Sequence, residues 1–171
     1  MGVTIHFEGK LKSEFDYEQL ISKTIDFAKN DGFEYFFIDN TDKLLERVKN
    51  EEDWDYEGQT KGIEIKFNEI IDPFILEFDR DLYIQEYCKT QFADIDTHIK
   101  IIDFLREIEK HFQELLIDDE GEYWETNNKT ILQEHIDNCN KVMENMKMEN
   151  PKTDGPYRMS NGRIFDLITD D

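Results

Sequence analysis

Phe36-Phe37-Ile38-Asp39 and Leu115-Leu116-Ile117-Asp118 stand 79 positions apart and close two stretches of the same make. Each is a short apolar run ending in a carboxylate, too short for a helix and, in the first case, rich in the aromatic rings that suit a buried strand. Ahead of the first run, Val3, Ile5 and Phe7 alternate with Thr4, His6 and Glu8. That period of two predicts a strand over 3–11 with one buried face. Between them, Asp16 and Gln19 have the spacing of a capping box, and Tyr17, Leu20, Ile21, Thr24, Ile25 and Ala28 recur at helical steps up to Gly32. A helix is predicted over 17–30. Ahead of the second run, Leu82 to Phe92 reads as extended, and Asp94 or Asp96 caps a helix with Ile95, Ile99, Ile102, Leu105, Ile108 and Phe112 on one face.

Strand, helix and strand thus occur twice. The expected fold is α+β, a mostly antiparallel sheet with helices on one face, built from ferredoxin-like duplicated βαβ units. The remaining stretches fit around that plan. Thr41 is a cap for a short helix through Leu44, Leu45 and Val48, and Asn50 to Gly58 reads as an acidic loop. Ile63, Ile65 and Phe67 mark another strand, and Phe74–Phe78 forms a hairpin with 82–92 across Asp79-Arg80-Asp81. Thr126 or Asn127 opens a third helix, with Leu132, His135, Ile136, Cys139, Met143 and Met146 at three- and four-residue steps, which Pro151 ends. Asn161-Gly162 between two extended runs predicts a two-residue hairpin in the tail.

With 171 residues, 38% hydrophobic and 13% aromatic, the chain has the size and apolar content of one folded domain over 1–171. Lys and Arg number 20 against 41 Asp and Glu, a formal charge of 20 − 41 = −21. Duplex recognition needs clustered cations, so nucleic acid is not an expected ligand, and a basic protein partner is. No window is apolar enough to span a membrane and the N-terminus reads straight into a strand, so a cytoplasmic location is expected. Met1-Gly2 begins like an acylation signal, but His6 stands where Ser or Thr is wanted. Cys88 and Cys139 read as reduced thiols, and no cofactor is expected. The oligomeric state is left as monomer or homodimer.

Asp53, Asp55, Glu57 and Glu64, with Gly58, have the spacing of a calcium loop. Glu64 lies in a strand pattern rather than an exiting helix, which favours an ordinary acidic turn with these four as cation candidates. Gly62 to Phe67 matches only part of the Glu-x-Glu-x-Lys strand of triphosphate tunnel enzymes, and the chain has too few cations for such a tunnel. Glu120, Glu122 and Glu125 with His98 form the one cluster that suggests a metal-dependent hydrolase. No phosphate-binding glycine loop, nucleophile elbow or His-Glu-x-x-His is present, so no catalytic residue is assigned.

Lys89-Thr90-Gln91-Phe92, His98 on the next helix, and Asp119-Glu120-Gly121-Glu122-Tyr123-Trp124-Glu125 make a distinctive series. The series resembles a set of uncharacterised bacterial proteins with a Lys-Thr-Gln-aromatic run, a helical His and an Asp-Glu-Gly-x-Tyr-Trp-Glu segment. The resemblance covers 88–126 and implies positions, with no activity attached. Strand alternation gives some of those positions a meaning of their own. Leu82, Ile84, Cys88, Thr90 and Phe92 fall on one face, and Tyr83, Gln85, Tyr87, Lys89 and Gln91 on the other. If helices roof the first face, the second is open, and the Gly121 turn brings Glu120, Tyr123 and Trp124 towards Lys89 and Gln91. The expected binding surface is therefore Tyr87, Lys89, Gln91, His98, Glu120, Tyr123, Trp124 and Glu125. The expected role is binding, as an immunity-type or regulatory factor.

Overall fold

Alternation in the first strand puts it at the centre of a sheet. β1 (Thr4–Leu11) buries Ile5, Phe7 and Leu11 and turns His6 and Lys10 outward. The computed structural model describes residues 2–169, so Met1 of the acylation reading lies outside them. α1 (Glu14–Asn30) starts three residues earlier than its apolar spacing suggested. Ser13 is its N-cap: the Ser13 hydroxyl oxygen accepts from the Asp16 N–H and donates to the Asp16 carboxylate.

β2 (Glu34–Leu45) runs straight through the positions predicted as a short helix. Two small strands, β3 (Val48–Lys49) and β4 (Glu52–Asp53), form a side hairpin, and β5 (Tyr56–Lys66) then returns along β2. The pairing extends from Glu34 opposite Lys66 to Leu45 opposite Tyr56, with a bulge between Asn40 and Lys43. Backbone pairing with 56–58 holds 43–45 extended, and that partner lies in a stretch read as loop. β6 (Phe74–Phe78) pairs with β5, giving the sheet order β2-β5-β6.

β7 (Tyr83–Lys89) leads to α2 (Ile95–Ile108), capped by the Asp94 carboxylate. A 3-10 turn over Glu109–His111 follows, and β8 (Phe112–Asp119) takes Phe112 out of the helix and into the strand. The second sheet has the order β7-β1-β8, antiparallel throughout. α3 (Tyr123–Thr126) is a single turn, and α4 (Lys129–Glu149) is capped by Asn128 and stops before Pro151. The tail folds back on itself: β9 (Thr153–Asp154) pairs with β12 (Ile168–Thr169), and inside them β10 (Tyr157–Arg158) pairs with β11 (Ile164–Phe165). Its loop is wider than the two-residue turn expected. The Gly162 N–H donates to Met159 O and Gly162 sits at φ +85°, a turn closed by a left-handed glycine.

The architecture is α+β with antiparallel sheets. α1 carries the chain from β1 to β2 in the other sheet, whereas α2 carries it from β7 to β8 on the far side of β1, so the two strand–helix–strand stretches are built into different surroundings. Both helices pack on the side that carries Ile5, Phe7, Ile63, Ile65, Phe74 and Ile84. Phe27 of α1 stacks on Phe104 of α2 at 4.6 Å, and Phe104 meets Phe74 edge-on at 6.0 Å. Among the described residues no helix is long and apolar enough to cross a membrane.

β6 and β7 run side by side but are tied only at their ends. The Asp79 N–H donates to Tyr83 O, and the Asp72 N–H to Lys89 O. Along this seam sit four buried or nearly buried carboxylates, each matched by a cation, Lys43 from the bulged part of β2 and Arg47 and Arg163 from irregular segments. Asp79 pairs with Arg47 at 2.8 Å, Glu77 with Lys43 at 2.7 Å, and Glu86 and Asp72 with Arg163 at 2.7 and 3.6 Å. Buried carboxylates without such partners would be prohibitively costly, so the seam dictates where the 46–56 excursion and the tail must lie.

Candidate functional site

The three strands of the β7-β1-β8 sheet present their outward side chains as a grid. Register places Tyr87, His6 and Asp118 in one row, Gln85, Glu8 and Leu116 in the next, and Tyr83, Lys10 and Glu114 in the third. Each strand contributes alternate residues because successive side chains point to opposite faces. The inward set, with Ile84, Cys88, Ile5, Phe7 and Leu115, is buried against the helices.

The grid is not uniformly open. At one corner, Tyr83 is held below the 46–56 excursion. The Tyr83 hydroxyl donates to Glu8 Oε2 at 2.6 Å, Trp54 meets its ring edge-on at 5.1 Å, and Arg47 lies 5.1 Å from the ring centroid. Burial, then the bond to Glu8 and its negative charge, pushes the Tyr83 phenol well above its ordinary range. Gln85 is engaged as well, donating to Val48 O and accepting from the Val48 N–H. At the opposite corner the Arg163 guanidinium covers one side of the Tyr87 ring, 4.1 Å from its centroid, and donates to Tyr87 O. The expectation of a wholly uncovered tyrosine face is therefore corrected. Tertiary contacts from two irregular segments close two of its corners.

What stays open is the band between them. Tyr87 is 41% exposed and Leu116 is 52% exposed, with His6, Lys10, Glu114 and Asp118 exposed around them. The His6 ring lies tilted against Tyr87, with centroids 6.0 Å apart, and its Nε2 is 3.8 Å from Glu120. The band thus has an apolar and aromatic middle with Glu8, Glu114, Asp118 and Glu120 beside it, and Lys10 as the cation on the grid itself. Its signal was present in the sequence: His6 and Glu8 were already on the polar side of the first strand. Leu116 carried no such signal, since an apolar residue in a short apolar run reads as core.

The other residues of the expected surface go elsewhere. Lys89 pairs with Asp166 of the tail at 2.8 Å, and Gln91 is 1% exposed against α4. His98 is fully buried. Its Nδ1 lies 2.7 Å from Thr90 Oγ1, and its Nε2 lies 3.1 Å from the Asp119 carboxylate. Asp119 also accepts from the Gly121, Tyr123 and Trp124 N–H groups. Burial works against its charge, but His98 and these backbone donors outweigh it and hold the carboxyl below its ordinary value. Gly121 is required here, because a Cβ would stand 2.6 Å from Leu132 Cδ1 and 3.1 Å from His98 Cε1. Tyr123 and Trp124 do not reach Lys89 and Gln91. Instead they flank the Arg106 guanidinium of α2, 5.6 and 5.4 Å from its centre.

The carboxylates proposed for metal chemistry are likewise separated. Glu120 accepts from the Thr4 N–H, Glu122 pairs with His135, and Glu125 is exposed on α3, while His98 is sealed in the core. Asp53 lies on β4, Asp55 accepts from the Arg47 N–H, and Glu57 and Glu64 lie seven residues apart along β5. Strand geometry spreads the last pair by more than ~20 Å, too far for one ion. Among the described residues no group of three or more His, Cys, Asp or Glu is placed to hold a metal. Comparisons with known protein families, curated proteins and solved structures find no match.

Proposed function

We propose that this chain is a single-domain cytosolic bacterial protein that acts by binding, and that a basic protein seats on the outward band of β7-β1-β8. The observation that carries this reading is the pairing of exposed Tyr87 and Leu116 with the carboxylates Glu8, Glu114, Asp118 and Glu120 around them. Lys and Arg side chains suit such a band, because their stems lie on apolar surface while their heads reach carboxylates at the rim. The charge of −21 adds long-range attraction that speeds encounter with a cationic partner. Blocking or regulating that partner, in the manner of an immunity-type factor, is the role that this surface suits. The fold is read in the same terms: the order β8-β1-β7 supports a ferredoxin-like half, whereas β2, which closes the first strand–helix–strand stretch, lies in the β2-β5-β6 sheet.

Lysine-rich peptides carrying two leucines, titrated calorimetrically, test the proposal. Binding is expected at about 0.05 M salt and should weaken strongly at about 0.5 M, where the Debye length falls to a few Å. Leu116→Asp and Tyr87→Ala are each expected to weaken it by about tenfold, roughly 1.4 kcal/mol. Binding that ignores salt, or that both variants retain at full strength, overturns the assignment.

A further inference from the structure

β2 is the outermost strand of the β2-β5-β6 sheet, and among the described residues its outer edge pairs with no strand. None of its 12 residues is buried. The bulge between Asn40 and Lys43 ends the regular part of the strand, which leaves Glu34 to Asn40 as one uninterrupted edge. Within that run Tyr35-Phe36-Phe37-Ile38 carries no charge, and its two phenylalanines stand on opposite faces. Phe37, opposite Ile63 of β5, is 66% exposed. Phe36, opposite Glu64, is 45% exposed, with Lys66 Nζ 4.7 Å from its ring centroid.

Folded proteins guard their edge strands with charged side chains, prolines or bulges, because a row of bare N–H and C=O groups pairs with any strand that meets it. Between Glu34 and Asp39 this edge has none of these guards and offers aromatic rings on both faces. Register then selects the occupant. Side chains directly opposite in an antiparallel pair share a face, so a two-fold axis through the sheet must pass beside a residue, with positions equally far on either side facing each other. An axis that uses the whole run from Glu34 to Asn40 passes beside Phe37. Phe37 then opposes Phe37 of a second copy, Phe36 opposes Ile38, Tyr35 opposes Asp39 and Glu34 opposes Asn40. Apolar groups meet at the centre, and neither carboxylate meets another.

We propose that the outer edge of β2 pairs antiparallel with β2 of a second copy of this chain, which joins two three-stranded sheets into one of order β6-β5-β2-β2-β5-β6. A contact between two short strands lies at the low end of specific interfaces, below about 800 Å² per partner, so the dimer is weak and reversible. Two copies of charge −21 repel each other and salt screens that repulsion, so the dimer tightens as salt is added. A basic protein on the β7-β1-β8 band responds to salt in the opposite sense. The two contacts use different sheets, and either stands without the other.

Sedimentation equilibrium of the intact chain reads the association. A monomer–dimer equilibrium with a micromolar dissociation constant is expected, about tenfold tighter at about 0.3 M than at about 0.02 M sodium chloride. Phe37→Lys and Phe37→Glu each set like charges against one another at the axis, and each is expected to sediment as a monomer with an unchanged circular dichroism spectrum, since the ring they remove is exposed. Mixed in equal amounts, the two variants set Lys against Glu and are expected to associate about tenfold more tightly than either does alone. Loss of an exposed ring without this register would weaken all three samples alike. A wild-type chain that stays monomeric leaves the edge to a strand of another protein and overturns the proposal. Association that weakens with added salt, a dimer that both variants retain, or a mixture no tighter than its components overturns it as well.

Discussion

Asp119 does more with one side chain than any other residue described above. It joins β8 to α2 through His98 and to α3 through three backbone donors. Its carboxyl has a lower pKa folded than unfolded, so its charge stabilises the fold above the unfolded value near 3.8, and that stability is lost as pH falls through the lower folded value. Glu86 has the opposite sign. Burial raises its carboxyl despite the nearby Arg163, so protonating it on the way down from neutral pH favours the fold. Asp119→Ala should therefore cost about 3–5 kcal/mol at neutral pH, because it leaves Nε2 of the buried His98 and three N–H groups without their partner. Urea denaturation measures this, and a loss below about 1 kcal/mol would show that the network is dispensable. The motif Lys-Thr-Gln-Phe, His, Asp-Glu-Gly was visible in the sequence. That Thr90, His98 and Asp119 of this motif form a sealed internal network, instead of an open site, was not, because burial is a property of the packed chain.

At the scale of elements, two irregular segments act as clamps on the seam between β6 and β7. The tail is fastened by Arg163 to Glu86 and Asp72, by the Ile164 N–H to Asp72 at 2.7 Å, and by Arg158 to the carbonyls of Ile71 and Glu69. The excursion is fastened by Arg47, whose guanidinium lies within 5.1–5.7 Å of the ring centroids of Trp54, Tyr56 and Tyr83. Arg163→Ala is predicted to release the tail while the sheets stay folded. Limited proteolysis should then cut between residues 153 and 169 several times faster, and hydrogen exchange at Ile164 should accelerate. Unchanged rates at both would mean that Arg158 and the backbone pairing hold the tail without it. The helices α2 and α4 were legible from spacing, although the cap of α4 is Asn128, just past the Thr126 or Asn127 that the sequence offered, because the single turn α3 occupies Tyr123–Thr126. The extension of β2 to Leu45 was not, since its hydrogen bonds come from a partner strand 11 to 15 residues further on.

For the whole molecule, the excess of carboxylates sets the solution behaviour. The ion pairs along the seam take up three cations and four carboxylates, so the rest of the chain keeps 17 − 37 = −20 of the formal charge. Self-repulsion of that charge opposes the compact state, and salt screens it. The melting temperature is expected to rise between about 0.02 and about 0.3 M sodium chloride, by calorimetry. A fall would mean that exposed pairs such as Lys61–Glu14 contribute more than the repulsion costs.

Residue order by itself determined the alternating strand β1, the amphipathic α2 with a cap at Asp94 or Asp96, the stop of α4 before Pro151 and the acidic balance of the chain. These follow from neighbours within a few positions, where backbone geometry ties side-chain direction directly to spacing. Only the tertiary structure decided that Tyr83 is roofed and Tyr87 is half open, that Leu116 faces outward, and that Gln91 is buried against α4. Each of those outcomes depends on a residue tens of positions away being brought alongside by packing, and no local pattern encodes that encounter.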